Sequence, residues 1–122
     1  MTASMKTARP KDQIRAAYYD QLGGGFGKKV RARVHWIVRQ AKGEHILDIG
    51  CSGGVVPILL GREGKHVVGI DVLPEAITEA KQALLEEPAS VKEKVELHEA
   101  NVMTYTPDIQ FDTVLMTEVL EH

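Results

Sequence analysis

Two short apolar runs, HILDIG at 45–50 and HVVGID at 66–71, carry one acid each and are separated by a helix-sized segment. A strand buried on both faces reads as a continuous apolar run, and two of them joined this way demand parallel pairing through a right-handed crossover. The spacing predicts a helix from about Gly54 to Glu63 between them. Pro74 then opens PEAITEAKQALLEE at a first helical position, where its missing N–H costs nothing, and Pro88 is expected to end that helix. KVELHEA (94–100) alternates as a third strand, and FDTVLMT (111–117) reads as a fourth. The order predicts an α/β fold: a Rossmann-like open parallel sheet with helices on both faces.

Upstream, residues 12–22 are expected to form a helix with Ile14, Ala17 and Tyr18 on one side, and GGGFG at 23–27 to break it. Val30, Val34, Ile37, Val38 and Ala41 recur at helical spacing before Gly43, a C-terminal cap position. The division is an N-terminal helical arm, 1–43, and a Rossmann-like domain, 44–122. With 43% hydrophobic and 26% charged residues the chain belongs with globular rather than disordered sequences, and 122 residues allow one small domain. Residues 1–42 hold ten Lys and Arg against two Asp, while the remainder holds five against fifteen acids. Lys28, Lys29, Arg31, Arg33 and Arg39 are read as the wet side of a helix, although such an arm could steer an acidic partner. No apolar run approaches the roughly 20 residues of a membrane span, MTASMKTARP lacks a signal-peptide core, and the single Cys51 cannot form an internal disulfide, so a cytoplasmic setting is expected.

In open parallel sheets ligands sit beyond the C-terminal ends of the strands, beside the first one, which places HILDIGCSGG at the expected site. A dinucleotide fingerprint would need glycine at 50, 52 and 55; the chain has Gly50, Ser52 and Val55. Asp48 would also repel a pyrophosphate, which disfavours a nicotinamide-dependent oxidoreductase. A Walker loop fails because no GK[ST] follows. An acid here suits a cationic ligand end, and S-adenosylmethionine has a sulfonium, an ammonium and no phosphate. On that reading Asp48 complements the positive charge, Gly50 admits the methionine portion, and Gly54 lets the next helix pack closely. A second acid at the end of the second strand should accept from the ribose hydroxyls, and Asp71 stands there, 21 residues after Gly50.

The stretch LDIGCSGGVVPILLGREGKHVVGIDVLPEAITEAKQ resembles the first two motifs of class I S-adenosylmethionine-dependent methyltransferases. FDTVLMTEVLEH resembles their fourth-strand motif, nearest the group of ubiquinone-biosynthesis O-methyltransferases. The resemblance covers about residues 44–122 and implies that the sheet is truncated after the fourth strand. It implies that Asp48, Gly50, Cys51, Ser52 and Gly54 line the methionine end, with Asp71 on the ribose and Val72 against the adenine. It also implies that Asn101 and Val102 face the adenine and that Thr117 and Glu118 lie near the sulfonium. Two positions depart from the pattern: Ser52 replaces the second glycine, and Asn101 replaces the usual acid. Cys51 itself reads as a packing residue rather than a nucleophile. Tyr18 and Tyr19 read as core packing or as a cover for the cofactor.

Glu118, Glu121 and His122 share one face if a helix starts there. Three readings stay open: a Mg²⁺ or Mn²⁺ site such as some 2′-O-methyltransferases hold, acids at a positive helix end, or, for Leu120 to His122, the start of a polyhistidine tag. No metal and no catalytic residue is assigned; His122 is the only nearby base. The expected function is methyl transfer from S-adenosylmethionine to a small-molecule, hydroxyl-bearing acceptor, with a non-catalytic binding or assembly module of the same fold as the alternative. A membrane partner is not expected, nor a nucleic-acid one. The chain reads as the N-terminal part of a longer enzyme, and its open sheet edge would allow a homodimer.

Overall fold

In the computed structural model, which describes residues 13–21 and 25–116, the two apolar runs are adjacent parallel strands. They are β1 (His45–Ile49) and β2 (His66–Asp71), with His45 opposite His66 and Ile49 opposite Ile70. The remaining elements are α1 (Gln13–Tyr18), α2 (Phe26–Gln40), α3 (Val55–Arg62), α4 (Pro74–Leu85), α5 (Ala89–Lys92), β3 (Val95–Glu99) and β4 (Thr113–Leu115). The strand order is β3-β2-β1-β4, and all pairs are parallel, as the sequence predicts.

Ile46 and Val67 point to one face of the sheet and pack with Val34, Ile37 and Val38 of α2 and Val55 and Leu60 of α3. Val95 and Leu97 of β3 meet Ile77 and Ala80 of α4 and Val91 of α5 in a second cluster. On the other face, Leu47, Ile49, Val68 and Ile70 receive Ala100, Tyr105 and Phe111 from the segment between β3 and β4. The expectation of helices on both faces is therefore met on one face among the described residues. The crossovers β1–β2 and β2–β3 step in the same direction, so right-handedness puts α3 and α4 on the same side. Only the return from β3 to β4 crosses the opposite face, and its described residues form turns.

Three local expectations change. Phe26 and Gly27 belong to α2 rather than to the glycine-rich break, and Gly25, at φ +74°, precedes the helix. α4 ends at Leu85, before Pro88, because the residue preceding a proline is pushed out of helical geometry. Pro88 instead opens α5, a single turn with no periodic signal of its own. β4 is three residues long; Phe111 and Asp112 precede it. Asp112 ties β4 to the start of β1: its Oδ2 accepts the N–H groups of Glu44 at 2.8 Å and His45 at 3.0 Å, and these bonds hold its carboxyl below the usual range.

Candidate functional site

The turn after β1 is held from β2. Gly50 and Cys51 both donate their N–H to the Ile70 carbonyl, at 2.8 and 3.0 Å. Ser52 follows at φ +53°, the left-handed conformation that glycine takes without steric cost. The replacement of glycine by Ser52 thus leaves the turn in glycine-like geometry, at a price in strain. The Ser52 N–H donates to Asp71 Oδ2 at 3.0 Å, and Asp71 Oδ1 accepts the Leu73 N–H at 2.9 Å, just ahead of α4. Asp71 is 2% exposed. Its carboxylate fastens the turn to the entry of α4, a role that the spacing of the two acids did not suggest.

Gly54, at φ +85°, is needed for close approach: a Cβ there would lie 2.9 Å from the Ala80 Cβ. The helix it admits is α4. Asp48 stands within β1 rather than in the turn, opposite Gly69 and Leu115, and is 4% exposed. Cys51 is buried against Ile77 and Ala80, which supports its packing role.

Two clefts flank these residues. The first, about 50 Å³, lies at the end of β1 and is lined by Asp48, Gly50, Cys51 and Ser52, by Ile14 of α1, and by Val30 and Arg33 of α2. Arg33 borders the apolar stripe of α2, three positions after Val30. That placement lets an exposed side chain, expected on the wet side of the helix, reach the cavity. The second cleft is open, about 220 Å³, and lined by Val72, Glu99, Ala100 and Asn101 beyond β2 and β3. Val72 and Val102 are exposed. Asn101 Oδ1 accepts the Met103 N–H at 2.9 Å, and its carbonyl accepts from Thr104 and Tyr105. Glu99 was not singled out by the sequence; as the last residue of a strand it resembles any solvated edge position.

Tyr18 belongs to the packing of α1 on α2, while Tyr19 is exposed. Tyr18 Oη and His35 Nε2 are 2.7 Å apart, and burial raises the Tyr18 phenol. Tyr19 lies under Arg15, 5.0 Å from ring centre to guanidinium carbon. Thr117, Glu118, Glu121 and His122 lie outside the described residues. Among the described residues no group of three or more His, Cys, Asp or Glu is arranged to hold a metal, and no helix is long and apolar enough to cross a membrane.

A parallel sheet in the order β3-β2-β1-β4, with an acid-bearing turn beyond β1 and a second cleft beyond β2 and β3, defines a Rossmann-like ligand-binding domain. A family model described as a methyltransferase domain matches residues 47–122, and the chain belongs to that family. It is similar to the ubiquinone biosynthesis O-methyltransferase of Aromatoleum aromaticum, 36% identical over 94 residues, covering 74% of this chain and 38% of that protein. The enzyme of the same name from Salmonella paratyphi A is 35% identical over 113 residues, covering 89% of this chain and 38% of that protein. The chain thus spans less than half the length of these curated relatives. Among solved structures, the glycopeptide N-methyltransferase MtfA complexed with S-adenosyl-L-methionine matches with a TM-score of 0.65 at 16% identity, over 75% of this chain and 38% of that one. A SAM-dependent methyltransferase from Methanosarcina mazei matches with a TM-score of 0.53 at 32% identity, over 64% of this chain and 39% of that one.

Proposed function

We propose that the chain is the cofactor-binding part of an S-adenosylmethionine-dependent methyltransferase acting on a hydroxyl group of a small molecule. The observation that carries this reading is that an acid, Asp48, and a cation, Arg33, line one small cavity. An amino-acid end with an ammonium and a carboxylate needs one acid and one cation, and a neighbouring sulfonium favours the acid further. A phosphate ligand would oppose Asp48. The bound cofactor supplies an electrophilic methyl group on a positively charged sulfur. The chain's own part is to orient it: Asp48 and Arg33 at the amino-acid end, Asp71 beside the ribose, Val72 and Val102 as apolar walls for the base. Alignment of this kind is the main protein contribution to an in-line displacement. The names of the curated relatives support a hydroxyl acceptor, and the single cysteine suits a cytoplasmic setting.

Titration calorimetry with S-adenosylhomocysteine tests the reading. Binding is expected in the wild type. Arg33→Ala should weaken it about tenfold, the worth of one charge-assisted contact, while adenosine, which has no amino-acid end, binds both proteins equally. Absence of heat with the wild type would sink the proposal.

A further inference from the structure

We infer that the outward face of α2 binds single-stranded nucleic acid, with Trp36 as the stacking platform for a base and Lys28, Lys29 and Arg39 as phosphate partners. α2 carries five Lys and Arg and no acid. Two of the five are engaged within the chain. Arg31 pairs with Asp20 at 2.9 Å and donates to the Tyr18 carbonyl, and Arg33 lines the cleft beyond β1. The other three are exposed, and among the described residues no carboxylate pairs with them. Trp36 stands between them. The apolar stripe of α2 is turned to the sheet, and Trp36 lies outside it, 55% exposed. Helical spacing puts Lys29 two turns before Trp36 and Arg39 one turn after it, a strip of about 15 Å. Ala32, one turn before the indole, is too small to cover it.

Charge by itself does not single out a nucleic acid; the placement of Trp36 among the cations does. A bilayer takes up an amphipathic helix by its apolar side. That side of α2 is buried in the core, which leaves one indole to enter lipid. An acidic protein would need an apolar centre to the interface, and the strip has none beyond the same ring. An unpaired strand offers a π-face for the indole and phosphates for the cations beside it. Arg39 also borders an open cleft of about 380 Å³ between α2 and α3, with His35, Arg62 and the acid Glu63. Arg62 is held by Glu87, so Arg39 is the cation left to meet a sugar–phosphate chain running past the ring. The rest of the chain, with fifteen acids against five Lys and Arg, repels a polyanion and confines the contact to this face.

Trp36 is the only tryptophan of the chain, so its fluorescence reports this contact alone. A short oligothymidylate should quench it saturably at low salt, and a strand of abasic sites of equal charge should bind about tenfold more weakly. Three phosphate partners give a slope of about −2 against salt on logarithmic axes, so a rise from about 50 to about 200 mM should weaken binding roughly twentyfold. With a labelled strand followed by anisotropy, Trp36→Ala should weaken binding about tenfold and Trp36→Phe about twofold. Lys29→Gln combined with Arg39→Gln should make the slope shallower by about 1.4. All three positions are exposed, so the substitutions spare the core, and the Phe variant keeps a ring in place if the Ala variant melts early. Equal binding of the abasic strand, full affinity in Trp36→Ala, or no quenching at all overturns the inference. So does a blue shift of Trp36 emission with vesicles of anionic phospholipid and no response to the strand, which would assign the face to a membrane.

Discussion

The two clefts at the C-terminal ends of the strands are built on opposite principles. The one beyond β1 is narrow and half-enclosed; side chains of α1 and α2 wall it, and its floor is main chain: Gly50 and Cys51 on the Ile70 carbonyl, Ser52 on Asp71. The one beyond β2 and β3 is open, and side chains at strand ends make its walls. A surface made of backbone and fixed by buried hydrogen bonds tolerates little variation, whereas one made of exposed side chains can exchange one residue for another. The departure at the closed cleft, Ser52 for glycine, keeps the left-handed geometry. The departure at the open cleft, Asn101 for an acid, changes the polarity on offer.

Asp71 stands between the two, one oxygen toward the turn and the other toward Leu73, and its loss should erase the distinction. Asp71→Ala leaves two N–H donors without their acceptor at a buried site. An equilibrium urea denaturation should find it about 3 kcal/mol less stable than wild type, with Asp71→Asn losing less because its amide oxygen still accepts one of them. A loss under about 0.5 kcal/mol would mean that the clamp is not structural. Ser52→Gly acts on the closed side alone. Relief of the left-handed strain is worth about 1 kcal/mol and is offset in part by the greater freedom of glycine in the unfolded chain, so a net gain below about 1 kcal/mol is expected from thermal melts. Strong destabilisation would show that the Ser52 side chain, not its backbone, holds the turn.

A contact remote from both clefts sets the baseline. Arg62 Nε and Nη2 donate to Glu87 at 2.9 and 2.6 Å, and this pairing holds the Glu87 carboxyl below its usual range. A carboxyl lowered on folding contributes stability at neutral pH, and the contribution fades as pH falls through the carboxylate range near 4. Glu87→Gln should therefore cost about 1 kcal/mol at pH 7, as a bidentate pair with a largely covered carboxylate does, and progressively less as pH falls below the usual carboxylate range. Urea midpoints across that range check it; a constant difference would assign the effect to packing.

Much of this arrangement was legible in the sequence because it rests on burial. β1, β2 and the buried stripe of α2 follow from runs and periods of apolar residues, and the two acids stand out as the single charges in those runs, Asp48 within one and Asp71 at the end of the other. What was hidden depends on partners far along the chain. Asp71 as a clamp requires knowing that Ser52 comes beneath it, 19 residues away in sequence. Arg33 looked solvated because helical spacing places it outside the apolar stripe and says nothing of a cavity beside it. The one-turn α5 is too short to have a period, and the side on which a helix lies is fixed by crossover handedness rather than by composition.

Asp112 and Thr113 have a consequence for how the chain assembles. Thr113 Oγ1 accepts the Lys42 N–H at 2.9 Å and donates to the Lys42 carbonyl at 2.7 Å, and Asp112 holds Glu44 and His45; the partners are 67 to 71 residues apart. By contrast β1 meets β2 across a register of 21 residues. Closing the longer loop sacrifices more chain entropy before any contact is gained, so β4 is the strand expected to dock last. During synthesis β1 must therefore wait with one edge unpaired until the residues around Asp112 have emerged. The corner that fastens them is where the nascent sheet ceases to offer that edge to a neighbouring chain.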